Sequence, residues 1–489
     1  MDKAFKAADL STLEPSGVWK WFEAMTRIPR PSGSERQVSE FLRGFAEERG
    51  LDYEIDDVGN VLIRHPGRGA ASGSAPVCLQ AHVDMVAEKL ESSSHDFLGD
   101  PISFEIDGDW VIARETTLGA DNGMGVALML AILDDPSTVH PPLECLFTVD
   151  EERGLTGASR LDPAWLKARR MINLDSEEEG FFCIGCSGGL DIHLEGAYEP
   201  VPAPEGMIPL TVRVEGLHGG HSGMEINRWR ANAIRLLAHT VSPLVRDHGC
   251  RIASLSGGSK RNAIPRTASA ALLVPPECMD ALMKSVSGTQ NAQREEFAGI
   301  DDELTISAMP SLTTPDAVLP DGFAVTTTDL LLALHHGVEK MSTLSRDLVE
   351  TSCNLAILEA GGGAVRICIT VRSLLENAKG ALAGRLAATA RLAGFEFSTG
   401  GGYPGWKPDS SSLLLGTSIA AYRELCGAEP EIMTIHAGLE CGIIGGKVGG
   451  MDMISMGPDI RDVHVPGEKV SISSTARFWS FINGLLARL

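Results

Sequence analysis

The chain has 489 residues, 43% of them hydrophobic, and a formal net charge of −23. That length exceeds one comfortable core and predicts two domains, with the composition of a water-soluble globular protein. The acidic balance argues against nucleic acid or an anionic membrane surface as a partner. No apolar run approaches the roughly 20 residues that span a bilayer. The N-terminal MDKAFKAADLSTLEP lacks the apolar core of a secretory signal, so a cytoplasmic location is expected. The ten cysteines are scattered, several of them in strand-like apolar runs, which suits reduced core thiols. Cys183 and Cys186 have zinc-knuckle or redox spacing, but no second pair completes a four-thiolate site.

In chain order, SERQVSEFLRGFAEERG predicts a helix opened by a capping box of Ser34 and Gln37 and closed at Gly50. Strands follow around residues 77–85, 143–150 and 170–175, and NGMGVALMLAILDD between the first two is apolar nearly all round, as a buried helix is. Alternating strands and helices predict an α/β domain with a mostly parallel sheet, whose ligand sites lie beyond the carboxyl ends of its strands. EPVPAPEG, residues 199–206, reads as a linker. Beyond it, IPLTVRVEG, NRWRANAIRLLAHTV, CRIASLSGG, ASAALLV and a helix near 276–286 form a β-α-β-β-α series. A second pass through TISAMPS, TTDLLLALHHGVEKM, NLAILEAGGGAVRICITVRS and NAKGALAGRLAATARLAG repeats it. Both passes have the split pattern of a ferredoxin-like unit. The first pattern resumes after STGGGYPGWKPDSSS. The expected layout is a discontinuous α/β catalytic domain, residues 1–205 and 398–489, with an inserted α+β lid of two ferredoxin-like halves at 206–397.

Five short pieces carry more acid and imidazole than solubility requires: AHVD, GADNG, VDEERG, NLDSEE and DVHVPGE. His82 and Asp84, two apart at a strand end, share a face. Alone, the pair reads as a histidine bonded to a neighbouring acid, and VDEERG as a solvated acidic loop. Together, His82, Asp121, Glu151, Glu152, Asp175 and His464 supply what two metal ions need: a shared carboxylate, terminal ligands and a base. Mixed imidazole and carboxylate donors suit zinc, cobalt or manganese.

LQAHVDMVAEK, LGADNGMGVALMLAIL, HPPLECLFTVDEERGLTGA, MINLDSEEEG, GGHSGMEINRWRANA and MGPDIRDVHVPGEKVSI occur in an order spanning nearly the whole chain. They resemble the motifs of the M20 family of dinuclear zinc peptidases, in its aminoacyl-histidine dipeptidase branch. The resemblance implies that Asp121 bridges two ions, with His82 and Asp175 completing one and Glu152 and His464 the other. It implies that Asp84 orients His82, that Glu151 is the general base for the water between the ions, and that Asp121-Asn122 is a cis peptide. It assigns His221 of GLHGGHSG, where His218 also stands, to the oxyanion of the tetrahedral intermediate, and Asn262 and Arg372 to the substrate's carboxylate end. HAGLECG adds His436 and Glu440 as pocket candidates, with a structural bond as the alternative for both. Two features depart from many relatives: Asn122 stands where they have an acid, and the doubled lid leaves open whether His221 serves its own subunit.

The function so implied is hydrolysis of unblocked L-dipeptides, Xaa-His and β-alanyl-histidine above all, by a homodimer that binds two divalent ions, zinc first. The alternatives are a tripeptidase or an N-acyl or N-carbamoyl amino acid amidohydrolase with the same centre, and a catalytically silent metal- or peptide-binding relative.

Overall fold

The computed structural model describes residues 9–343 and 347–489, which divide into two compact units. The first comprises the residues up to Cys186, Trp406–Thr434 and Leu439–Leu489; the second comprises Ser187–Gly405 and Ile435–Gly438.

The first unit is built on an eight-stranded sheet. Its strands run in the spatial order Asp52–Ile55, Val61–His65, Leu143–Thr148, Val77–His82, Arg170–Asn173, Asp452–Ser455, Phe181–Cys186 and Glu431–Ile435. The sequence predicts a mostly parallel sheet, and the sheet is mixed. The four middle strands are parallel, whereas Asp52–Ile55, Val61–His65 and Phe181–Cys186 pair antiparallel beside them. Helix Ala120–Asp134 connects Val77–His82 to Leu143–Thr148, whereas Asp52–Ile55 and Val61–His65 form a hairpin at one edge. The strand Val77–His82 is buried at every position, as a strand covered on both faces must be. Helix Ala120–Asp134, buried from Asn122 to Leu133, packs on it and on helix Ser16–Thr26. The register sets His82 opposite Thr148 and Gln80 opposite Asn173. The loops after three adjacent strands therefore leave the sheet together.

The helix predicted after Ser34 runs Arg36–Arg49 and closes on Gly50 in the left-handed region, but its capping box does not form. Glu35 stands at the N-cap, and its carboxylate accepts the amides of Gly33 at 2.7 Å and Asp150 at 3.2 Å. None of the ten cysteines is in a disulfide among the described residues.

The second unit holds a nine-stranded sheet with helices Ala233–His248, Met279–Glu296, Asp321–Ala333 and Glu376–Leu392. The sheet order is Thr305–Pro310, Ile208–Glu215, Ala268–Val274, Arg251–Gly257, Val349–Gly361, Ala364–Ser373, Gly188–Ala197 and Glu396–Tyr403, with Gly337–Met341 pairing off this path. Its strand pairings among the described residues are antiparallel. Its first four strands are the fourth, first, third and second of a β-α-β-β-α-β unit, and its last four repeat that order in mirror sequence. The two halves meet where Leu255–Gly257 pair with Leu358–Ala360.

The doubling is present with a different partition from the one the sequence suggests. TISAMPS closes the first half, and the second half begins with Gly188–Ala197, a strand that precedes the first half in the chain. That strand is why the second unit starts at Ser187 and why residues 199–206 lie inside it. Val201–Pro202 there pairs with Ala317–Val318. TTDLLLALHHGVEKM, expected as one helix, is helical only to Ala333 and returns as the strand Gly337–Met341, because His335 and His336 turn back towards Val349–Gly361.

Candidate metal centre

His82 ends its strand with the ring wholly buried. Its Nε2 lies 3.1 Å from Asp121 Oδ1 and 3.2 Å from Asp175 Oδ1. On the other side of Asp121, Oδ2 is 3.1 Å from His464 Nε2, which is 2.9 Å from Glu152 Oε1. Asp121 thus offers one oxygen to each side, and the Asp121-Asn122 peptide is cis. His82, Asp121 and Asp175 form one group with ligand atoms within 4.8 Å of each other, and Asp121, Glu152 and His464 form another. Cys183 and Cys186 are both buried on the strand Phe181–Cys186.

Three elements aim the ligands. Asp150, at φ 53°, turns the chain out of its strand into a one-turn helix, Glu151–Gly154, whose first two residues both face the cluster. Asp84, fully buried, lies 3.3 Å from His82 Nδ1. Its two oxygens accept the amides of Glu151 at 3.0 Å and Glu152 at 3.2 Å, and the Ser32 hydroxyl donates to it at 2.7 Å. One carboxylate therefore orients the imidazole and the acidic turn together. Asn122 donates its side-chain amide to Asp175.

Two further residues were not singled out in the sequence. Glu468 accepts the backbone amides of Leu118, Gly119, Ala120 and Asp121 at 2.7 to 3.1 Å. Arg30, fully buried, donates to the carbonyls of Val83, Asp84 and Gly119 at 2.6 to 3.2 Å and so ties the His82 loop to the Asp121 loop. Glu468 sits four residues after His464 inside a quoted motif, whereas RIPRPSG around Arg30 holds no local signal.

The electrostatics are those of an anionic cage. Burial pushes Glu151 well above the ordinary carboxylate range against the pull of His82, with Asp175, Glu152 and Glu440 adding to the rise. Burial and Asp121 raise Glu152 to about 7. His464 rises to about 11 because Asp121 and Glu152 both accept from it. Burial works against a charged His82, but Asp175, Asp121 and Asp84 outweigh it and hold the ring well above its usual value. The mixed carboxylate and imidazole donors of His82, Asp121, Glu152, Asp175 and His464, with their ligand atoms this close, fit two divalent cations.

In the second unit, His221 Nδ1 accepts the amides of Met224 at 3.0 Å and Gly223 at 3.4 Å, which leaves the proton of the neutral ring on Nε2. The Asn262 carbonyl accepts the Ser222 amide at 2.8 Å, and its side chain is exposed. Arg372 and His436 are buried nearby: a Cβ built on Gly223 would lie 2.2 Å from the His436 carbonyl, 3.1 Å from the His221 ring and 3.2 Å from Arg372 Nε. His436 Nε2 is 2.7 Å from the Ser352 hydroxyl. His436 Nδ1 and Arg372 Nε are buried with no hydrogen-bond partner among the described residues. His218 bonds Asp301 at 3.0 Å. Glu440 belongs to the first unit, where it accepts from Gln80 and Thr148 at 2.6 Å each.

Residues 212–288 match the peptidase dimerisation domain of M20 enzymes, and residues 60–182 match peptidase family M28. The chain is 40% identical over 486 residues to the cytosol non-specific dipeptidase of Escherichia coli K12, covering 99% of each. The crystal structure of aminoacylhistidine dipeptidase from Vibrio alginolyticus superposes with a TM-score of 0.86 at 37% identity, over 99% of this chain and 98% of that one. The aminopeptidase PepT of Bacillus cereus shares the fold alone, with a TM-score of 0.56 at 15% identity over 97% and 98% of the two chains. On this end-to-end match the chain belongs to the M20 family of metallopeptidases, in the branch of the aminoacylhistidine and non-specific dipeptidases, and is a metal-dependent dipeptidase.

Proposed function

We propose that the enzyme cleaves unblocked L-dipeptides in the cytosol, with those ending in histidine, β-alanyl-histidine included, preferred. The observation that carries this reading is the buried Arg372 Nε, which has no hydrogen-bond partner among the described residues and lies beside Gly223 and the His221 ring. Buried polar groups without partners are rare unless a ligand completes them, and a guanidinium edge suits a carboxylate. A short peptide with a free C-terminus supplies one. The name of the Escherichia relative supports the dipeptide size and the location, and that of the Vibrio relative the dipeptide size and the histidine preference.

Asp121 would lie between two ions, zinc by the donor chemistry, with His82 and Asp175 on one and Glu152 and His464 on the other. Such ions supply Lewis acidity to the scissile carbonyl and make water acidic enough to react near neutral pH. Glu151, half-buried and with its pKa raised by its surroundings, takes the proton of the attacking water and returns it to the leaving amine. His221, with its proton on Nε2, donates to the oxyanion. Asp84 keeps His82 and the acidic turn in register. Asn262, Arg372 and His436 hold the substrate's carboxylate end. The match to a dimerisation domain supports a homodimer.

The test is hydrolysis by the purified protein of β-alanyl-histidine, alanyl-histidine, a tripeptide and N-acetyl-histidine, before and after chelation and metal return. Turnover of the free dipeptides alone, lost with the metal, is expected. Preference for N-acetyl-histidine or the tripeptide would move the substrate class, and no turnover of any would sink the reading.

A further inference from the structure

Arg372 lies on the strand Ala364–Ser373, opposite Gly189 on the neighbouring strand, and Gly189 in turn lies opposite Tyr403 on the next. Arg372, Gly189 and Tyr403 thus form one row across three strands, and the middle residue has no side chain. The Tyr403 ring leans over the gap: a Cβ on Gly189 would come within 2.5 Å of its Cε1. Its hydroxyl thereby reaches two strands across to accept from Arg372 Nη1 at 2.8 Å. A second glycine bounds the ring on another side, since a Cβ on Gly438 would lie 2.7 Å from Tyr403 Cε2.

The register that puts Tyr403 there is itself unusual. The pairing shifts between Gly400 and Tyr403, and Gly401 within the shift has φ 56°, a left-handed conformation that glycine adopts without strain. Lys379 then pins the strand end by donating to the Tyr403 carbonyl at 2.8 Å and to Glu376 at 2.9 Å. Lys379 is thus committed to a local acid and a strand-end carbonyl. A guanidinium bonds a carboxylate through two parallel N–H groups, so its rotation about the stem decides which edge is presented. Tyr403 occupies Nη1, and the Nε side is the one left buried and unpartnered.

We infer that Tyr403 is a positioning residue for substrate recognition: reaching across Gly189, it holds the Arg372 guanidinium so that its Nε edge faces the free carboxylate of the dipeptide. The inference rests on the proposed role of Arg372. Selection for a free C-terminus then depends on a tyrosine and a glycine that need not touch substrate.

The test compares a dipeptide with its C-terminal amide, as substrates and as competing ligands, on the metal-loaded enzyme and on Tyr403→Phe, Gly189→Ala and Arg372→Ala. Tyr403→Phe keeps the ring and loses the hydroxyl; Gly189→Ala keeps the hydroxyl and displaces the ring. Each is expected to raise KM for the dipeptide about tenfold, the usual effect of losing a hydrogen bond to a charged group. In both, kcat should stay near wild type and the amide should be handled unchanged, so that discrimination between the two ligands falls. Equal losses for dipeptide and amide, or a fall in kcat with KM unchanged, would overturn the positioning role. If Arg372→Ala leaves discrimination intact, the carboxylate reading of Arg372 fails and takes the inference with it. Loss of discrimination in Arg372→Ala without loss in the other two variants refutes the inference alone.

Discussion

The Glu468 carboxylate holds Asp121 by its backbone: Oε1 accepts the Asp121 amide at 3.1 Å and that of Ala120 at 2.7 Å, while Oε2 accepts those of Gly119 and Leu118. Four donors converge on one buried anion, and the residue between the two candidate metal positions is placed by it. Glu468→Gln exchanges one acceptor oxygen for an NH2 group and strands two amides. A loss of about 2–6 kcal/mol in unfolding free energy is expected, at about 1–3 kcal/mol per unsatisfied buried group. Urea denaturation measures it, and metal content after dialysis should fall in parallel. An unchanged midpoint would show that the four contacts are dispensable.

Glu151→Gln should keep its metal and lose turnover. The five candidate ligands are unaltered in this variant, and the amide cannot take a proton. The loss expected from removing a general base is about 10²–10⁴-fold in kcat, read by dipeptide hydrolysis beside metal analysis of the same sample. Retained activity would assign the proton transfer to another group.

Chelation should lower thermal stability as well as activity. Carboxylates of Asp121, Glu152 and Asp175 converge within one cage, and a cation that binds only the folded state stabilises it by mass action. The effect is about 2.7 kcal/mol at a free metal concentration one hundred times Kd. A melting temperature insensitive to chelator and metal return would contradict the cage.

A pH effect belongs to His336 of the second unit. Its buried Nδ1 accepts from the Asn232 side-chain amide at 3.2 Å and from the Leu355 amide at 3.3 Å. Burial, then Arg235 and His335, push its pKa down to about 3. As pH falls through about 6.5 the unfolded chain takes up this proton and the folded one does not. Stability therefore declines between about pH 6.5 and 3, by at most about 1.4 kcal/mol per pH unit for each such ring. His336→Gln, which retains an acceptor, should flatten the slope of unfolding free energy against pH by that share. Because His436 is lowered to about 3 as well, the slope should not vanish.

The candidate ligands were legible in the sequence because a ligand needs a particular side chain at a particular strand end. His82, Asp175 and the acidic pair Glu151 and Glu152 each follow an apolar run, and adjacent parallel strands bring such ends together. The α/β character of the first unit was legible from the same alternation, and the doubling of the second from its repeated series. What sequence periodicity missed was pairing. Nothing local assigns Gly188–Ala197 to the second sheet or TISAMPS to the first half, since strand partners are chosen by surfaces remote in the chain. The flanking strands turned antiparallel for the same reason.

By itself the sequence determined the family whose motifs it carries, and it singled out the candidate side chains for binding metal and moving a proton. Tertiary structure alone decided how those side chains are held. Glu468 lies 347 residues from Asp121 and Arg30 lies 89 from Gly119. Tyr403 reaches Arg372 only because two strand pairings set a glycine between them. A supporting carboxylate, guanidinium or phenol is an ordinary residue until folding closes the distance, because its role lies in the donors it meets and not in its own chemistry.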